Sequence, residues 1–320
     1  MSKLGPWRLR FRMWGAMVLL FALIYIIILL IGDFTGFGHY SIYPIIVIAM
    51  IVVQYLIGPK IVEWSMHVKY VSEEEAPDLH RIVGELAQIA GIPKPKIGVS
   101  EMAVPNAFAF GRYKGDGRVC VTRGLLNILY ENEVRAVVGH ELAHIKHNDM
   151  IVTTIVSAIP SIFYWIYISF MFGGSDNNNN GFIIGIVALI AYFIGQLIVL
   201  FVSRVREYYA DQGSIEFGNP PEALASALYK LVYGATNCSK QDINKVKGTS
   251  AFFLNNVKDA GFDIDELSQL DTDNDGLISA SELAQLKYRQ INVKKSDKFA
   301  ELFSTHPNML KRMERLAQFV

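Results

Sequence analysis

The stretch AVVGHELAHIKHND, residues Ala136–Asp149, decides how the rest of the chain is read. Four helical residues turn the backbone by about 400°, so on a helix His140 and His144 stand one turn apart and only about 40° out of line. Two imidazoles so placed reach a single zinc ion, with Glu141 between them beside the open coordination position. A catalytic zinc takes three protein ligands and a water. The stretch therefore calls for a third ligand and for a setting that supplies it.

The setting is a membrane protein. Of 320 residues, 52% are hydrophobic, and the mean hydropathy of +0.27 is high for a wholly soluble chain. Four apolar runs account for it: Trp14–Ile31, Ser41–Ile57, Met150–Phe172 and Phe182–Val202. Each approaches the roughly 20 residues that a helix needs to cross about 30 Å of hydrocarbon. Lys3, Arg8, Arg10 and Arg12 precede the first run, and no small-residue cleavage pattern follows in IGDFTGFGHY. That reads as a retained anchor and not as a signal peptide.

Charge sets the expected orientation. The connections GDFTGFGHYS and GGSDNNNNG carry no Lys or Arg, whereas Lys60, Lys69, Arg204 and Arg206 follow the second and fourth runs. Basic segments stay in the cytoplasm, which places both termini and every long polar segment there. Thirty basic residues balance 30 acidic ones, so no global field favours nucleic acid. The two cysteines, Cys120 and Cys238, lack a ligand spacing and read as unpaired thiols in a reducing compartment.

Four blocks follow. Residues 1–59 form one membrane hairpin, and residues 60–149 the first polar block. Residues 150–203 form a second membrane hairpin, and residues 204–320 the second polar block. In the first polar block EEEAPDLHRIVGELAQIAGI has helical periodicity and stops at Gly91 and Pro93. PKIGVSE, NAFAFGR and GRVCVTR then alternate as short strands, the last two joined by a Lys-Gly-Asp-Gly turn. A helix from about Asn132 through Asp149 is expected to run on into the third span. SRVREYYADQGSIEF continues the fourth span as helix, and Glu222–Gly234 and Asn308–Phe319 are helical stretches.

This layout points to the third ligand. His147 has the chemistry, but it would string the ligands along one helix without closing a tetrahedron. Glu207 lies at the cytoplasmic end of the fourth span, and the His140 helix lies at the cytoplasmic start of the third. The outer loop is short, so these two ends are neighbours. Asp211, four residues on, shares a face with Glu207 and is placed to orient a ligand imidazole.

HELAH, then SRVREYYAD after a two-span hairpin, then STHPNMLKRMERL together resemble the HtpX-type membrane-bound zinc endopeptidases, from the N-terminal anchor to the C-terminus. The resemblance implies a mainly α fold with a small β-sheet: four transmembrane helices and a cytoplasmic zincin-like α+β metalloprotease domain. Four spans, not seven, set the chain apart from the related CAAX prenyl protease subgroup. PNAFAFG, Pro105–Gly111, resembles the edge strand that takes up substrate backbone. His140, His144 and Glu207 would then be zinc ligands and Glu141 the base. His306 would hydrogen-bond substrate or transition state, Asn106 would help hold substrate, and Arg312 would support the site.

A second motif lies outside that resemblance. DTDNDGLISASE, Asp271–Glu282, fits the twelve-residue EF-hand loop. Asp271, Asp273 and Asp275 occupy positions one, three and five, and Gly276 the sixth. Leu277 offers its carbonyl at the seventh, Ser279 stands at the ninth and Glu282 at the twelfth. Ile278 is apolar, as the eighth position prefers. IDELSQL and SELAQLKYRQ flank the loop as helical stretches, so it reads as a calcium-binding insertion at about residues 262–290.

The resulting expectation is an integral membrane zinc endopeptidase with both termini and the catalytic domain cytoplasmic. It would hydrolyse protein or peptide substrates, misfolded membrane proteins among them, in membrane protein quality control. The alternative is a calcium-responsive membrane adaptor whose zinc site is structural or inactive. The presence of Glu141 favours the enzyme, because a structural site needs no base there.

Overall fold

The computed structural model describes residues 42–172, 179–236, 238–239, 267, 269–288 and 301–320. The first apolar run with its basic flank, the connection 173–178 and most of IDELSQL lie outside these residues. The chain divides into two units, one of Pro59–Met150 with Arg206–Val320 and one of Ser2–Gly58 with Ile151–Val205.

In the first unit, β1 (Val68–Tyr70), β2 (Lys96–Ser100), β3 (Ala107–Phe110) and β4 (Arg118–Thr122) form a mixed sheet in the order β1-β2-β4-β3. The β2–β4 pair is parallel, with Gly98 opposite Cys120, and β3 runs antiparallel to β4, with Phe108 opposite Cys120. β3 is therefore an edge strand. Strand β1 was not expected, because three residues in a polar run carry no usable alternation. Helix α1 spans Ile42–Ser65 and is helical over most of the second apolar run. Helix α2 (Pro77–Ala90) starts on Pro77 and stops at Gly91, which takes the left-handed conformation at φ 67°. The short α3 (Arg123–Ile128) follows β4 directly, capped by the Thr122 hydroxyl.

The central element is α4 (Glu131–Lys146), which packs against α2, the sheet and α7 (Pro221–Thr236). Its residues are buried almost all round, including Val134, Val137, Leu142 and Ile145. Glu133 ties its start to α7, accepting from the Tyr130 N–H at 2.7 Å, the Ser226 hydroxyl at 2.7 Å and Lys230 Nζ at 2.9 Å. The helix expected to run on through Asp149 is divided. Asn148 adopts the left-handed region at φ 55°, and a new helix, α5, covers Asp149–Phe172. Asparagine tolerates that conformation better than most side chains, so the break is written in the sequence, though faintly.

Helix α6 (Asn179–Glu216) delivers its last turns, from Arg206 on, to the first unit. Contact with α4 there is very close. A Cβ on Gly139 would lie 2.8 Å from Ser214 Oγ, and the Ser214 hydroxyl donates to the Ala136 carbonyl at 2.6 Å. Two short helices, α8 (Ala280–Gln285) and α9 (Met309–Leu316), complete the unit. Ile278 of the acidic loop, Leu283 of α8 and the flanking Leu270 and Leu286 are buried in the same apolar cluster as α4, α7 and α9.

In the second unit, α5 and α6 share a cluster of Val156, Ile159, Phe163, Ala191, Ile198 and Val202. Phe182, Ile190 and Phe193 point outward, each more than half exposed. Among the described residues, two helices are long and apolar enough to cross a membrane, Asp149–Met171 and Gly181–Glu216. These coincide with the third and fourth expected spans.

Candidate metal centre

His140, Glu141 and His144 project from the buried α4, and Glu207 and Asp211 from one face of α6. His140 Nε2 and His144 Nε2 are 3.2 Å apart. The Glu207 carboxylate lies 3.5 Å from the first and 3.7 Å from the second. Zinc bonds of about 2.0–2.1 Å in a tetrahedron set neighbouring ligand atoms about 3.3 Å apart, so these three groups fit one zinc ion. A second observation agrees: among the described residues Glu207 Oε2 is buried without a hydrogen bond, with His140, His306 and Arg312 nitrogens each 3.5 Å away. His147 is not in this cluster; its ring lies edge-on against Tyr209.

Each imidazole is held from behind. His140 Nδ1 lies 2.9 Å from Asp211 Oδ1, and Arg312 grips Asp211 with two bonds, Nε to Oδ2 at 2.9 Å and Nη2 to Oδ1 at 2.6 Å. Arg312 is fully buried at the start of α9. His144 Nδ1 lies 2.5 Å from Asp149 Oδ2, and Asp149 Oδ1 lies 2.5 Å from Arg206 Nη2. Sequence reasoning named Asp211 and Arg312 but missed Asp149 and Arg206. Asp149 is five residues from His144, a spacing that on a continuous helix puts the two on different faces, and only the break at Asn148 brings it back. The one available signal was an asparagine followed by an aspartate at the end of the motif.

Burial and neighbouring charge divide the titrating groups. Burial alone pushes the His140 imidazolium down, but the adjacent carboxylates of Asp211 and Glu207 outweigh it and hold the group up at about 9. Burial, then the adjacent His140, push His144 down to about 4, so its imidazole is neutral near pH 7. Burial raises the Glu141 carboxyl above its ordinary range, partly offset by the two histidines and by the backbone N–H of Ala109. A carboxylate with that affinity for a proton is suited to take one from water.

His306 precedes α9 with Nδ1 3.5 Å from Glu207 Oε2. Both its ring nitrogens are buried without a hydrogen-bond partner among the described residues. Asn106 is buried just ahead of β3; its backbone N–H donates to the Thr122 hydroxyl at 2.8 Å, and its carbonyl accepts the Thr122 N–H at 2.9 Å. By the antiparallel alternation, the backbone groups of Ala107 and Ala109 then face away from β4. The bond from the Ala109 N–H to Glu141 agrees with that.

The acidic loop forms a separate group. One carboxylate oxygen each from Asp271, Asp273 and Asp275 lies within 4.8 Å of the others. Asp271 accepts from the Asp275 and Gly276 N–H groups and from the Tyr229 hydroxyl. Leu277 donates its N–H to Asp275. Glu282 is engaged elsewhere: it accepts from the Thr272 N–H and hydroxyl and from the Ser279 N–H and hydroxyl, as the box at the start of α8.

Comparison with known proteins gives a consistent picture. The model of peptidase family M48 matches residues 73–320. A protein named protease HtpX homolog from Methanothermobacter thermautotrophicus is 61% identical over 232 residues, covering 72% of this chain and 89% of that one. A protein of the same name from Pyrococcus abyssi is 35% identical, covering 85% and 83%. Among solved structures, the crystal structure of S. mikatae Ste24p has a similar fold, with a TM-score of 0.50 at 17% identity. That match covers 92% of this chain, which spans 62% of the Ste24p chain.

Proposed function

The chain belongs to peptidase family M48, and from that membership and the convergent ligand set we propose an integral membrane zinc-dependent endopeptidase acting in membrane protein quality control. The observation that carries the reading is the near-tetrahedral spacing of His140 Nε2, His144 Nε2 and the Glu207 carboxylate, with the buried Glu141 beside them.

When bound there, zinc lowers the pKa of a water and polarises the scissile carbonyl. The chain's own groups do the rest. Glu141 takes the water's proton and returns it to the leaving amine. His306, whose Nε2 makes no hydrogen bond among the described residues, donates one to the substrate oxygen where charge develops. An extended peptide adds to the outward edge of β3 through the backbone groups of Ala107 and the Ala109 carbonyl. Asn106 fixes the start of that strand against substrate, and Arg312 keeps Asp211 on His140.

Membrane hairpins at residues 1–59 and 150–203 would alternate with two cytoplasmic peptidase segments at 60–149 and 204–320, giving four spans. Protein substrates, misfolded membrane proteins above all, would reach the site from the cytoplasmic face of the bilayer. The loop Asp271–Glu282 would bind calcium, with the Leu277 carbonyl and Ser279 completing the aspartate set and Glu282 turning in from Thr272. The convergence of Asp271, Asp273 and Asp275 supports this. Zinc content and cleavage of casein by the detergent-purified chain test the reading. Stoichiometric zinc with proteolysis supports it; zinc without proteolysis favours the adaptor.

A further inference from the structure

The imidazole of His144 has more room than that of His140. Its side chain is 17% exposed, against 0% for His140. A neutral imidazole carries its proton on either nitrogen, and only the form protonated at Nδ1 leaves the Nε2 lone pair for a metal. Something must therefore hold His144 in that form and stop it from turning. Asp149 Oδ2 is 2.5 Å from its Nδ1, on the side away from His140 and Glu207, and Arg206 Nη2 is 2.5 Å from the other Asp149 oxygen. Asp149 and Arg206 are 7% and 5% exposed, so neither charge is a stray surface group.

We propose that Asp149 and Arg206 are positioning residues for metal retention: Asp149 fixes the tautomer and plane of His144, and Arg206 fixes Asp149. This rests on the zinc reading above. Three features carry it. The order of groups, imidazole, carboxylate, guanidinium, repeats that of His140, Asp211 and Arg312, from a different carboxylate and a different arginine. The chain departs from regular helix to create it, through the left-handed Asn148. And α6 supplies both halves of the arrangement from consecutive residues, Glu207 toward the two Nε2 atoms and Arg206 toward the carboxylate behind His144. An ion pair that merely tied α5 to α6 would need none of these to meet on a ligand nitrogen.

The test is zinc affinity of the full chain in detergent, measured by competition with a chromophoric chelator, together with the visible spectrum of the cobalt-loaded protein. Asp149→Ala is expected to bind zinc about 10- to 100-fold more weakly than the unmodified protein and to shift the cobalt bands. Asp149→Asn, which keeps an oxygen facing Nδ1, should fall between the two. An affinity within about twofold of the unmodified protein, with an unchanged cobalt spectrum, overturns the proposal even where the metal-free variant melts lower, since a simple helix tie does that. If Asp149→Ala does not fold, Asp149→Asn and Arg206→Lys decide by the same two readouts, and no change in either overturns it. An unmodified chain that takes up no zinc overturns the zinc reading as well. Zinc held equally by all forms overturns this inference alone.

Discussion

Gly213 of α6 lies so close to Ala143 of α4 that a Cβ added to it would sit 2.5 Å from the alanine's own Cβ. Ala143 immediately precedes His144, and Gly213 is two residues beyond Asp211, so this contact sets how near the carboxylates come to the imidazoles. Gly213→Ala is expected to force the helices apart, lowering stability by about 1–3 kcal/mol as overpacking does, and to lose zinc more readily. Gly58→Ala, with nothing within 4 Å of the added carbon, is the control that should lose neither stability nor zinc. Melting curves with zinc analysis of both variants check this, and wild-type zinc retention in Gly213→Ala would detach the contact from the site.

Glu141→Gln should keep about one zinc and lose at least about 10²-fold of peptidase rate, because the general base is gone while the ligands remain. His140→Ala and Glu207→Ala should lose the metal itself. Turnover near wild type in Glu141→Gln removes Glu141 from its role. If Glu207→Ala held zinc tightly while His147→Ala released it, the third ligand would have to be reassigned.

The proton on His140 gives the site a pH signature. In the metal-free protein the group is raised from its ordinary 6.5 to about 9, so the stability it contributes is fully present below pH 6.5 and lost as pH rises through 9. Zinc must displace that proton. Apparent zinc affinity should thus rise with pH up to about 9 and flatten above it, with about one proton released per ion at pH 7.5. Titration calorimetry in two buffers of different ionisation enthalpy reads the proton directly, and an affinity flat between pH 6.5 and 9 would be the contrary result.

If both polar segments are cytoplasmic, as proposed, cysteines placed in the 174–180 loop of otherwise intact cells should react with an impermeant maleimide, and a cysteine near residue 270 should not. The reverse pattern inverts the topology derived from the lysine and arginine asymmetry.

Calcium should raise the melting temperature of the full chain. Three aspartates facing one point repel one another without a cation, and binding at 100 times Kd adds about 2.7 kcal/mol to folding. Calorimetric titration of the unmodified chain and of Asp271→Ala combined with Glu282→Ala decides this. Absence of calcium-dependent heat and of any melting shift removes the ion from the loop.

Much of the centre was legible in the sequence because its geometry is helical. His140 and His144 are one turn apart, Glu207 and Asp211 likewise, and a short-looped hairpin has neighbouring ends. What stayed hidden depends on single backbone torsions. Asp149 reaches His144 only through φ 55° at Asn148, and no periodicity argument crosses a break of one residue. Arg206 read as part of a basic flank, since a buried arginine and a juxtamembrane one look alike until something is packed against them. Glu282 fits its place in the loop pattern, yet its carboxylate binds Thr272 and Ser279, because capping a helix and ligating an ion call on the same residue at the same spacing.

The burial of Ile278, Leu283 and Leu286 among the side chains of α7 and α9 has a further consequence. Calcium hands ordinarily come in couples, each screening the other's greasy side from water. If the proposed loop binds calcium, α7 and α9 would take the place of that second hand, and Tyr229 of α7 donates to the first aspartate. Cutting the loop out would strip an apolar wall from α7 and from α9, the helix that carries Arg312. An engineer wanting the protease without its acidic ornament would have to repaint that wall with polar residues first.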